Sequence, residues 1–247
     1  MQDRAAKTRR QLIQSAAEVF GRSGFAGSSI GQICALAGVS QGALHFHFRN
    51  KRALGEAVES AAAEILCRIT APDPHAQHAQ YAQHAQHAPL QLLVDISHRL
   101  VRRVCQDPVL RAGFGLAHDA AWGSGSVLWP LWRDRVRGLL TAARHQGSLA
   151  PGVDIDEVVA TVTAVTAGVE GLERGRNCPP SASAMTPFWR LVLPQLTAEG
   201  VRDRIDPTGS GVALAVEPPA PDWRFDDWPV SEGCATAPAG REVCCVP

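Results

Sequence analysis

The chain has 247 residues, with 24 Lys or Arg against 24 Asp or Glu, 45% hydrophobic residues and 6% aromatic ones. That content supports one large or two modest folded units and excludes a chain disordered throughout. No stretch of about 18 apolar residues runs free of charge, and the N-terminus has no continuous apolar segment, so a cytoplasmic protein is expected. Neutrality hides an asymmetry: residues 1–60 carry eight basic against four acidic side chains, and residues 200–247 carry four against eight. A basic head is the electrostatic footprint of a phosphate-binding surface.

Strand patterns are nearly absent, and helical periodicity takes their place. Over residues 5–20, Ala5, Thr8, Leu12, Ile13, Ala16, Val19 and Phe20 form one stripe, and the helix should end between Gly21 and Gly24. Ser28 or Ser29 caps a short helix over 30–36 that stops at Gly38. Ser40 caps another over 41–46, and Asn50 caps a longer one from Lys51 past Ile65. Residues 72–88, PDPHAQHAQYAQHAQHA, are a low-complexity tract with a period of three. Helices follow over 89–106, 108–118, about 125–146, 154–174 and 186–198, with Pro187 expected in the first turn of the last. From Gly200 onward the chain is rich in Pro, Gly and Asp, lacks periodicity, and reads as a mostly disordered tail.

The seven cysteines are odd in number and irregularly spaced, which fits neither a disulfide framework nor a zinc module. The adjacent Cys244 and Cys245, and His75, His78, His84 and His87 of the repeat tract, leave a metal-handling or redox role as an alternative. No Ser-His-Asp set, carboxylate pair or Gly-rich phosphate loop stands in a catalytic context, so no enzyme, no resident metal and no cofactor are expected.

The segment from Ser28 to Phe48 has the form of short helix, Ala-Gly-Val turn, short helix. A helix-turn-helix needs a small residue facing its neighbour, a glycine at the turn and an aliphatic residue after it, and Ala35, Gly38 and Val39 supply them. The second helix then presents its N-terminal polar residues to base edges in the major groove.

With Ala16-Ala17-Glu18-Val19-Phe20, Gly24-Phe25, Ser28-Ser29-Ile30, the run from Ile33 to Ser40, Gly42-Ala43-Leu44, Phe46-His47-Phe48 and Asn50-Lys51, residues 7–60 resemble the DNA-binding domain of the TetR family of bacterial regulators. The Gly-Ala-Leu-His-Phe-His-Phe wording, Asp107 to Gly113, and Trp132 followed by Gly147 to Asp154 resemble the γ-butyrolactone autoregulator receptors within that family. Two positions depart from the subgroup: Gln41 stands in place of its usual Lys, and His45 in place of its usual Tyr. Gln still reads adenine, whereas the lost cation removes about one phosphate contact. These departures leave open a receptor-like regulator that senses an antibiotic or biosynthetic intermediate instead.

The resemblance implies an all-α protein: a tri-helical helix-turn-helix domain (1–50), a connecting helix (51–71), the His/Gln/Ala linker (72–88), a helical ligand-binding and dimerisation bundle (89–199) and a tail (200–247). It also implies a homodimeric, ligand-released repressor of antibiotic or secondary-metabolite genes, with operator DNA and a small effector as partners. For DNA, Ser28, Ser29, Lys51 and Arg9 are expected at phosphates, and Ser40, Gln41, Gly42, Ala43 and His45 at bases or nearby phosphates. Phe46 and Phe48 are assigned to the core, and His47 to a packed position. For the effector, the resemblance points to Phe114, Trp122, Trp129, Trp132, Val136, Val162, Val165 and Thr166, with Trp132 at the place where the subgroup sets a tryptophan over the lactone.

Overall fold

A computed structural model describes residues 2–71, 88–123, 126–173 and 182–210. Its helices are α1 (Gln2–Gly27), α2 (Ile30–Ala37), α3 (Gln41–His47), α4 (Lys51–Thr70), α5 (Ala88–Gln106), α6 (Pro108–Leu116), α7 (Leu128–His145), α8 (Ile155–Glu173) and α9 (Ala182–Leu196). Among the described residues the only β pairing is an isolated bridge between Leu149 and Thr197, so the expected all-α class holds.

The helix boundaries follow from local chemistry. Ser29 and Gln32 form a capping box: the Ser29 hydroxyl accepts from Gln32 N at 3.2 Å, and Ser29 N donates to Gln32 Oε1 at 2.9 Å. Gly38 closes α2 in the left-handed region at φ 64°. Ser40, Asn50 and Asp107 accept from the first-turn amides of α3, α4 and α6, and Pro108 follows Asp107 where its missing N–H costs nothing. Helix α1 runs on to Gly27 but breaks at Gly24, φ 68°, within the interval where its end was expected.

Helices α1, α2 and α3 enclose a small core of Leu12, Ile13, Ala16, Phe20, Ile33, Cys34, Leu44 and Phe48. Helix α4 leaves this head and packs against α6, which also touches α1. Two glycines permit the close approach. A Cβ on Gly113 would fall 2.7 Å from Leu128 Cδ1 and closer still to Ala62 Cβ, and one on Gly55 would fall 2.5 Å from the Trp122 ring. Helices α5, α7, α8 and α9 complete the body around Leu100, Trp132, Val136, Val162 and Trp189.

Two expectations need correction. Helix α9 starts at Ala182, so Pro187 lies inside it rather than in its first turn, and Pro194 follows near its end; Pro187 is exposed. The tail also does not begin at residue 200. Val201 and Ile205 are buried, and the segment is tied along α5: Gln91 exchanges hydrogen bonds with Asp206, the His98 ring nitrogen contacts Pro207 O at 3.0 Å, and the buried Asp95 accepts from Ser210 N and Oγ at 2.7 and 2.8 Å. A composition of Pro, Gly and Asp reads as coil because its order comes from α5. The repeat tract 72–87 and residues 211–247, with Cys244 and Cys245, lie outside the described residues.

Candidate nucleic-acid interface and effector cavity

Helix α3 is seven residues long, and its exposure has one phase. Leu44 is fully buried, Ala43 and His47 are half-buried, and Gln41, Gly42, His45 and Phe46 are exposed. At 100° per residue those four lie within one 140° arc opposite Leu44, which is the face the head turns outward. Phe46 is 80% exposed and is therefore not core, contrary to expectation; Phe48, at 4%, is. The difference is phase: Phe48 ends α3 in extended backbone and turns inward under α1, where the Arg9 guanidinium covers its ring at 5.1 Å. His47 packs edge-on to Phe46 at 5.1 Å and tilted to Phe48 at 6.4 Å. Burial, and then the nearby Arg9 charge, hold its pKa below the usual histidine value.

The groups assigned to phosphates are largely engaged inside the head. Ser28 is buried and its hydroxyl donates to Phe25 O at 2.7 Å. Lys51 Nζ donates to Phe25 O at 2.7 Å and Ser28 O at 2.8 Å, above the Phe25 ring. Ser29 and Ser40 stay exposed, but their hydroxyls serve as caps. Lys51 and Ser28 thus brace the end of α1 against α2 and α4, and a phosphate contact from either would require those bonds to break. Arg9 is half-buried, and burial lowers its pKa.

Beneath the head lies a joint that no sequence pattern announces. The loop after α6 carries Asp119, whose carboxylate accepts from Phe25 N at 2.5 Å and Ala26 N at 3.3 Å, just past the break at Gly24, and from Ala121 N at 2.9 Å. Burial pushes its pKa up, but these three amides and the Lys51 charge outweigh that and hold it below the usual value. Trp122, expected at the effector, belongs to this joint. It packs edge-on to Phe25 at 5.0 Å and over Gly55, its ring is covered by Arg52 at 4.8 Å, and its carbonyl accepts from Arg52 at 3.1 Å. Nearby, the buried Glu59 accepts from Val127 N at 3.1 Å, and Arg135 holds Thr70 O at 2.7 Å.

The body contains a narrow apolar cavity between α5, α6, α7 and α8, lined by Leu100, Val101, Val104, Cys105, Phe114, Trp129, Thr166 and Val169. Its volume is about 10 Å³, room for about one water molecule. Of the expected effector residues, Phe114, Trp129 and Thr166 line it; Trp132, Val136 and Val162 are fully buried in the surrounding core, and Val165 is half-buried. The α5 contribution was not expected, although Leu100, Val101, Val104 and Cys105 follow helical spacing. The Nε1 atoms of Trp129 and Trp132 are buried without a hydrogen-bond partner, whereas the buried Trp189 donates to Ser97 Oγ at 2.8 Å. Among the described residues no group of three or more His, Cys, Asp or Glu is placed to hold a metal ion, and no helix is long and apolar enough to cross a membrane.

A basic three-helix head with one outward helix face, joined by a long helix to a bundle with an apolar cavity, defines a helix-turn-helix DNA-binding protein with a helical regulatory body. Residues 12–58 match the bacterial regulatory proteins of the tetR family. The chain is 26% identical over 209 residues to the A-factor receptor protein of Streptomyces griseus, covering 84% of this chain and 70% of that one. Among solved structures it is similar to CprB of Streptomyces coelicolor A3(2), a TetR family protein, at TM-score 0.70 and 25% identity over 86% of this chain and all of that one. It is also similar to CprB in complex with its operator, at TM-score 0.63 and 26% identity over 81% and 94% of the two chains. A γ-butyrolactone receptor shares the fold at TM-score 0.64 and 24% identity, over 81% of this chain and 93% of that one. The head therefore carries a tetR-family DNA-binding domain, and the chain as a whole is similar to TetR-family regulators.

Proposed function

We propose that this protein is a homodimeric, cytoplasmic repressor that holds operator DNA through the exposed face of α3 and leaves it when a γ-butyrolactone-like molecule enters the helical body, so controlling antibiotic or secondary-metabolite genes. The observation that carries the DNA half is the single outward phase of Gln41, Gly42, His45 and Phe46 on a head matched to a DNA-binding family. Gln41 and His45 would meet base edges and neighbouring phosphates, and the bare Gly42 lets the helix come close. Residues 1–50 would act as the reading head, 51–71 as the lever, and 89–199, extended by the strap to 210, as the regulatory body.

The effector half rests on the cavity and the partnerless indole N–H of Trp129, which lines it. A buried donor without an acceptor costs about 1–3 kcal/mol, which a ligand carbonyl would relieve. A ligand of this class needs a few hundred Å³, so the body must open to admit it. The cavity wall includes Phe114 of α6, and α6 packs on α1 and α4 and leads into the Asp119–Trp122 joint. Opening would therefore shift the head relative to the body, and the ligand would favour the non-binding spacing of the two heads by its differential affinity. The names of the A-factor receptor and the γ-butyrolactone receptor support the ligand class. For the dimer, α8 exposes Ala160, Ala164 and Gly168 and α9 exposes Leu191 at 76%, a small-residue and apolar surface suited to a two-fold four-helix contact.

Footprinting of the full chain on DNA from its own upstream region tests the reading. Two protected half-sites about one helical turn apart, or a multiple of it, are expected. Binding without sequence preference would contradict it.

A further inference from the structure

Phe46 is the most exposed of the large hydrophobic side chains that the described residues leave in water, at 80%. His47 stands edge-on to its ring at 5.1 Å, and His47 is in turn tilted against the buried Phe48 at 6.4 Å. Nor is it isolated from the reading surface, because Gly42 lies one helical turn before it and Gln41 and His45 share its arc. A Cβ at Gly42 would meet only the Ser40 hydroxyl, at 3.8 Å, so the strip of α3 leading to the phenyl ring is bare backbone.

We infer that Phe46 is a specificity residue that packs on the C5-methyl group of a thymine in the major groove. This rests on the reading of α3 as the DNA-contacting helix. Within that groove the base edges offer hydrogen-bonding atoms and a single apolar feature, the thymine methyl. A phenyl ring has nothing to offer N7, O6 or N4, and it loses hydration wherever it goes, so the methyl is the base-edge group that complements it. Position follows from helix geometry: Phe46 stands five positions after Gln41, roughly 7.5 Å along α3, or about two base-pair steps of ~3.4 Å. The thymine therefore lies about two steps from the base that Gln41 reads. Sequence preference at that position comes from van der Waals contact and persists at high salt, unlike phosphate contacts.

The test replaces single thymines by deoxyuridine, which removes the methyl and nothing else. Duplexes are first selected from a random pool by the full-length chain, and each thymine of the consensus half-site is then changed in turn. The expected result is one position per half-site at which the change weakens wild-type binding about fourfold, the worth of one buried methyl. Phe46→Ala should bind the unmodified duplex more weakly and lose sensitivity at that position alone, and Phe46→Leu should keep part of it. Because the Phe46 side chain is 80% exposed, its variants should stay close to the wild-type melting temperature. The inference is overturned if no thymine is methyl-sensitive, if Phe46→Ala leaves the sensitivity intact, or if Phe46→Ala weakens binding equally on all duplexes, which would place the ring on the sugar-phosphate backbone. Failure to select any duplex would instead remove the reading of α3 on which the inference stands.

Discussion

The Gly113→Ala substitution probes the close α4–α6 contact on the proposed route from cavity to head. In a helix interior, Gly→Ala normally stabilises by about 0.5–1 kcal/mol, because alanine has less backbone freedom to lose. Gly113 should reverse that sign. The added methyl would sit 2.7 Å from Leu128 Cδ1 and inside contact distance of Ala62 Cβ on α4, so α4 and α6 must part by about 1 Å to restore ordinary carbon spacing of ~3.5–4.0 Å. Overpacking of this kind costs about 1–3 kcal/mol, which leaves a net loss of about 1–2 kcal/mol. At about 2–4 °C per kcal/mol for a chain of this size, the melting temperature should fall by roughly 2–8 °C. Gly138 of α7, with nothing within 4 Å of an added methyl, is the control, and Gly138→Ala should raise the melting temperature by roughly 1–4 °C. Both are measured by differential scanning calorimetry at one protomer concentration, since dimerisation makes the midpoint concentration-dependent. If Gly113→Ala proves as stabilising as Gly138→Ala, the close α4–α6 packing is not present in solution and the proposed route from cavity to head falls.

Asp119→Asn weakens acceptance from Phe25 N and Ala26 N and removes the charge facing Lys51; it should cost about 1–2 kcal/mol and raise hydrogen exchange at those two amides. Because the folded Asp119 pKa lies below the ordinary value of about 3.9, its contribution is full above that value and is lost as pH falls through the lower folded one; the wild type should lose more stability than Asp119→Asn over that window. Trp129→Phe deletes an indole N–H that has no partner, so it should leave stability and effector-free operator binding within about 1 kcal/mol of wild type while making release by effector about 5- to 30-fold less sensitive, read by fluorescence anisotropy of labelled operator. Leu191→Glu places a charge on the exposed apolar surface of α9 and should yield a folded monomer by sedimentation that no longer protects two half-sites.

The helix boundaries are legible in the sequence because their signals are local. Ser29, Ser40, Asn50 and Asp107 cap the first turns of helices that begin one residue later, and Gly38 turns the chain where only a residue tolerant of positive φ does so cheaply. The features that are not legible depend on distant partners or on phase. Hydrophobicity alone places Phe46 in the core, although its phase relative to Leu44 already sets it outward. Lys51 at a helix N-terminus reads as an anion site, but the carbonyls of Phe25 and Ser28, more than twenty residues earlier in sequence, converge on its ammonium. Trp122 sits in a loop without periodicity, so nothing local separates a joint residue from a cavity residue; Gly55, 67 positions away, receives its ring. The strap over 201–210 is ordered by Gln91 and Asp95, which a composition-based reading does not weigh.

Under the proposed function, a small molecule in the body releases DNA from the head. The most direct measurement titrates the operator complex of the full-length chain with an organic extract of a producing culture, and then with purified γ-butyrolactones, following operator anisotropy and tryptophan fluorescence together. Both signals should change with the same midpoint, because the ligand that quenches the buried indoles is the one that shifts the heads. Quenching that leaves the operator bound, or release without any change at the tryptophans, would contradict it.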